Sequence, residues 1–107
     1  MAAGIIPRSI AYNSDLALYD PKDAKAGRLD EQECLPESLE VGQEYSFLKK
    51  GHRNYQPNGE LTLLEMRHGD VLFTFKARVV LLSSQFIQKA GVSYTQGRYR
   101  VLEILAG

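Results

Sequence analysis

Between Val71 and Leu82 apolar and polar residues alternate with a period of two, the longest such run in the chain. Val71, Phe73, Phe75, Ala77, Val79 and Leu81 share one wholly apolar face. Leu72, Thr74, Lys76, Arg78, Val80 and Leu82 share the other, which is polar at first and apolar from Val80. The pattern predicts a strand buried on one side in its first half and on both in its second. At ~3.3 Å per residue a straight strand of this length runs roughly 40 Å, whereas a compact chain of this size has a radius of gyration of about 13 Å. The strand is therefore expected to bend between Lys76 and Val79 and to serve two sides of a small barrel or sandwich.

The other segments are shorter. Ile5 to Tyr12 reads as an edge strand because Pro7 cannot donate to a central ladder. Asn13-Ser14-Asp15 is placed to cap a helical turn over Leu16 to Tyr19, stopped by Asp20-Pro21. Residues 21–40 form an acidic, weakly apolar segment, read as loop with short helices over Leu29 to Cys34 and Pro36 to Leu39, pinned to the sheet by Leu35, Leu39 and Val41. Glu44 to Lys50 is strand material, with Tyr45 and Phe47 on one face. Glu60 to Met66 alternates, and the short Arg67-His68-Gly69-Asp70 loop predicts an antiparallel hairpin of Leu61–Met66 with Val71–Val80. Ser83-Ser84 is placed to cap a helical turn through Ala90, with Gly91 as its stop, and a last strand runs from Gln96 to Leu105. The expected architecture is mainly β, or β-rich α+β: one domain over 1–107, a small antiparallel β-barrel with short helical insertions.

With 107 residues, 44% hydrophobic and 24% charged, the chain suits one domain with one modest core. The single cysteine, Cys34, excludes an internal disulfide framework and points to the cytoplasm. No apolar run reaches the ~20 residues of a membrane span, and the first residues lack the basic start of a signal peptide. Net charge is zero but uneven: residues 1–44 carry 4 basic against 9 acidic groups (−5), and residues 45–107 the reverse (+5). Such asymmetry marks either a polyanion-binding face or two halves that neutralise one another on folding.

Two basic groups are candidates for nucleic-acid or anion binding. Lys49, Lys50, His52 and Arg53 lie among Tyr45, Phe47 and Tyr55, the cation and ring combination that a single-stranded nucleic acid needs. The alternative is a solvated loop whose aromatics are core. Lys76, Arg78, Arg98 and Arg100 share an outer face if the last strand lies beside the long one, unless carboxylates such as Glu65 and Glu103 meet them. Catalytic signals are thin. Cys34 with His52 or His68 is the one nucleophile and base combination, and no metal-ligand spacing occurs. Gly42, Gly51, Gly59, Gly69, Gly91 and Gly97 read as turn punctuation rather than as a phosphate loop. No catalytic residue, metal or cofactor is expected.

Ala17-Leu18-Tyr19-Asp20 and Tyr45-Ser46-Phe47-Leu48-Lys49-Lys50-Gly51 resemble two pieces of an SH3 domain, but they stand too far apart and the chain has no Trp, so no groove residues are carried over. The order of short N-terminal helices, hairpin through Gly69-Asp70, helical insert and final strand is similar in outline to the PUA-like barrels, including the RNA-associated ASCH group. The Gly-x-Lys element of that group's signature is absent, so no catalytic role is carried over. The expected function is a small non-enzymatic binding module for a protein partner, reached through the acidic segment or a sheet edge. An RNA-binding barrel using the basic face is the alternative, and a small hydrolase the third. A chain this small with open edges can also pair with a second copy of itself.

Overall fold

The computed structural model describes residues 12–27, 29–66 and 73–105. The expected strand over 5–12 (except Tyr12), the 67–70 loop, Val71 and Leu72 lie outside the described residues. Among the described residues five strands make one mixed sheet: β1 (Asp15–Tyr19), β2 (Glu44–Lys50), β3 (Glu60–Met66), β4 (Phe73–Lys89) and β5 (Val92–Ile104), in the order β1-β3-β4-β5-β2. The mainly β reading holds. The sheet is mixed rather than antiparallel, because β1 runs parallel to β3. Among the described residues its ladder is also open, ending at β1 on one side and β2 on the other.

The core lies on one face, in rows that cross the strands. Leu16, Leu63 and Ala77 form one row, Leu61, Val79 and Val101 the next, and Tyr45, Tyr99 and Leu81 a third. Phe47 stands opposite Gly97 and packs edge-on against Tyr55. Each large apolar side chain removed from water in this way contributes about 1.5–3 kcal/mol, so these rows dominate the fold's stability.

The predicted hairpin is present, with Met66 opposite Phe73 and Glu60 opposite Val80. Where the bend is expected the pairing is irregular: the β3–β4 register slips between Leu63 and Leu64, and the β4–β5 register slips at Arg78/Val79 and again at Leu81/Ser83. These bulges change one expectation. Leu63 faces Ala77 but Leu64 faces Phe75, so Lys76 is an extra residue and the side-chain parity of β4 flips there. Ala77, Val79 and Leu81 are core, whereas Phe73 and Phe75 are 54% and 62% exposed.

Three helical expectations give way to other structure. Leu16 to Tyr19 belongs to β1, where Leu16 and Leu18 alternate into the core. Ser83 to Ala90 is not a helical turn: β4 continues to Lys89, paired with β5 residue by residue from Ser83–Arg98 to Lys89–Val92. Ala90 and Gly91, at φ of 51° and 78°, make the tight hairpin turn that twisted strands favour, so β5 starts at Val92 rather than Gln96. In the acidic segment, α1 (Pro21–Lys25) has Pro21 in its first turn and the Asp20 carboxylate accepting from the Lys22 N–H at 2.9 Å. A 3-10 turn spans Glu31–Glu33, and Pro36 to Leu39 is irregular. Leu35 and Leu39 pin this segment to the core, but Val41 is exposed.

β3 pairs with β4 only as far as Val80, whereas β4 continues to Lys89 beside β5, which carries β2 on its other side as far as Tyr94. The molecule measures 55 × 34 × 25 Å, with a radius of gyration of 15.2 Å rather than the compact value.

Candidate functional site

The Lys49 to Arg53 region sits where β2 leaves the sheet. Thr95, fully buried on β5, holds it in place: its hydroxyl donates to the Gly51 carbonyl at 2.8 Å and accepts from the Arg53 N–H at 2.7 Å. Lys49 shares the parity of Tyr45 and Phe47, and so points to the inner face, opposite Thr95. Its ammonium donates to the carbonyl of Ala17 on β1. Together with the Asn13 N–H to Asn54 carbonyl bond of 2.8 Å and the Leu35 N–H to Tyr19 carbonyl bond of 2.8 Å, this ties the two ends of the open sheet together.

Burial pushes the Lys49 amine down to about 8, with the nearby Arg53 charge adding to the effect and Glu33 opposing it. The reference value is 10.5, so keeping the charge at neutral pH costs on the order of 3 kcal/mol. Between pH 8 and 10.5 the folded amine is neutral while the unfolded one is protonated, so the unfolded chain binds more protons and stability rises with pH. Above 9.0 the Cys34 thiol opposes this: burial raises it to about 11, and the unfolded thiol ionises first. Tyr55, raised by burial to about 12, adds a second loss above 10.0. The expected result is a gain of about 1 kcal/mol in urea-unfolding free energy between pH 8 and 9, absent in Lys49→Met. An equal gain in the variant would assign it to other groups.

The rest of the cluster is exposed to solvent. Lys50 and Arg53 are exposed, and the Arg53 Nε–H donates to the Lys50 carbonyl at 3.4 Å. The His52 ring stacks on Phe86 with centroids 4.4 Å apart and planes at 15°. The nearby aromatics are core: Phe47 and Tyr55 are buried, and Tyr45 packs against Tyr99 at 5.7 Å. The exposed ring of this region is Phe86 on β4.

Arg78, Arg98 and Arg100 share the outer face, whereas Lys76, the extra residue of the bulge, lies on the other side beside Glu65, and carboxylates meet each of the four. Lys76 lies 3.7 Å from Glu65, and Arg78 pairs with Glu60 and with Glu103 at 3.8 Å. Arg98 and Arg100 converge on Glu44 at 3.3 and 2.7 Å, and their hydrogen bonds hold its carboxyl below the usual range. This face is neutralised within the protein, partly by the acidic half through Glu44. Exposed pairs of this kind add little stability but remove the electrostatic attraction for phosphates.

Cys34 adjoins a hollow of about 590 Å³ lined by Pro21, Leu35, Pro36 and Tyr45 among others. Its thiol is buried and raised to about 11, so it is protonated at neutral pH and is not an activated nucleophile. Among the described residues no three His, Cys, Asp or Glu side chains are grouped to hold a metal ion, and no helix is long and apolar enough to cross a membrane. His68 lies outside the described residues. The chain matches no protein-family model, no curated protein and no solved structure.

Proposed function

We propose that the protein is a small non-enzymatic binding module that takes an extended segment of a protein partner as an added strand on the free edge of β4. One observation carries this reading: β3 covers β4 only to Val80, while β4 runs on to Lys89, so among the described residues Ser83 to Lys89 has a strand on one side alone. A free edge presents unpaired backbone donors and acceptors, and proteins that avoid edge pairing blunt it with charge, Pro or bulges. Ser83-Ser84-Gln85-Phe86-Ile87-Gln88-Lys89 carries one charge, at its end, and no Pro. In strand addition main-chain hydrogen bonds provide affinity and alternate side chains provide selectivity. Phe86, 56% exposed and backed by His52, is the anchor for a partner's apolar side chain. The wider architecture is a partly open barrel, supported by the three ties between β1 and the segments that follow it. The free thiol of Cys34 suits a reducing compartment such as the cytoplasm.

The second reading, a single-stranded RNA bound at the His52–Phe86 stack beside Lys50 and Arg53, is favoured by that stack but lacks the outer basic face, which is already paired. The two are separated by selecting binders from a phage-displayed library of linear peptides and following the complex by amide hydrogen exchange. Selected peptides are expected to protect Ser83 to Lys89, and Phe86→Lys to weaken them at least tenfold. Protection confined to the Pro21–Glu37 hollow would overturn the edge reading. So would failure of the selection alongside salt-sensitive oligouridine binding.

A further inference from the structure

Beside the gap between β1 and the end of β2 lies a groove of about 410 Å³, lined among others by Tyr12, Asp15, Lys49, Arg53, Tyr55 and Leu64. Lys25, Lys76, Arg78, Arg98 and Arg100 each pair with a carboxylate. Among the described residues Lys49 and Arg53 do not, although both face one hollow and lie close enough for the Arg53 charge to act on the Lys49 amine. Among the described residues Asp15 is the one carboxylate in the lining, set against two cations. The Lys49 nitrogen gives one hydrogen to the Ala17 carbonyl, and in its neutral form keeps its lone pair for the groove.

We propose that this groove is a covalent binding site for a small carbonyl compound bearing an anionic group, with the Lys49 amine taking the carbonyl and the Arg53 guanidinium facing the anion. The lone pair of the neutral amine forms the C–N bond to the carbonyl carbon. The carbonyl oxygen leaves as water with the two hydrogens lost by nitrogen, an imine remains, and nothing is oxidised or reduced. Partial burial supplies the neutral amine near pH 8, the requirement for a lysine to attack a carbonyl. Lys49, not Phe86, carries this site, so it stands or falls apart from the β4 edge.

Pyridoxal 5′-phosphate, an aldehyde carrying a phosphate, is the probe. The full chain is incubated with it at pH 8, reduced with borohydride and mapped by peptide mass spectrometry. Label is expected on Lys49 in at least tenfold excess over Lys22, Lys50 and Lys89. Arg53→Gln is expected to lower Lys49 labelling several-fold with pyridoxal phosphate and to leave it unchanged with pyridoxal, which has no phosphate. Lys49→Arg, which retains a donor for Ala17, is expected to fold, as judged by circular dichroism, and to lose the specific label. Label spread over the exposed lysines would overturn the site. Equal Lys49 labelling by the two aldehydes would overturn its anion half, and with it the proposal.

Discussion

Gly97→Ala is expected to destabilise the fold by about 3 kcal/mol or more, at the upper end of what overpacking a well-filled core costs. Read as a turn residue from sequence, Gly97 lies in the middle of β5, opposite Ser84 on one side and Phe47 on the other. A Cβ there would stand 2.1 Å from the Ser83 carbonyl oxygen and 2.8 and 2.9 Å from the Phe47 ring. The ring can rotate or tilt, but the carbonyl belongs to the backbone just beyond the Leu81/Ser83 register slip, and moving it means opening the β4–β5 ladder. The bulge and the glycine are therefore one device. The slip brings β4 close to β5, and the missing side chain makes room for it and for the Phe47 ring. Urea unfolding of the two proteins tests this, and a loss below about 1 kcal/mol would mean that the strands are not in this contact.

Local pattern was enough for some of the fold and for little of the site. β2 falls at Glu44 to Lys50 as the alternation predicts, and the β3–β4 hairpin follows from residue spacing. The flip at Lys76 was not legible, because Val71, Phe73 and Phe75 look like a continuation of Ala77, Val79 and Leu81. One inserted residue in the partner's register decides it. Ser83 to Ala90 carries a plausible cap, apolar spacing and a glycine stop, yet pairing with β5 overrides that local preference. β1 is five residues whose parallel partner lies more than forty positions away, a contact that no local window contains. For the cations the deciding fact was register. Glu44 stands opposite Arg100 only once β2 is placed beside β5. The inward turn of Lys49, by contrast, was legible, since it shares the parity of Tyr45 and Phe47.

Phe47→Ala is expected to cost about 3–5 kcal/mol, the range for deleting a fully buried aromatic side chain. Phe47 is fully buried, meets Tyr55 edge-on at 5.9 Å and Tyr99 at 6.2 Å, and covers the bare backbone of Gly97. Its loss removes the apolar area, two ring contacts of about 0.5–1.5 kcal/mol each, and the lid over that backbone. The informative measurement is the double-mutant cycle with Gly97→Ala. If the packing is as described, the two changes do not add. With the ring gone, part of the crowding at position 97 disappears, and Gly97→Ala in the Phe47→Ala background costs less than in the native protein by at least 0.5 kcal/mol or so. The clash with the Ser83 carbonyl persists in both backgrounds, so a substantial cost remains. Full additivity would place Phe47 away from Gly97. Complete rescue would show that the ring alone, rather than the β4 backbone, makes glycine necessary there.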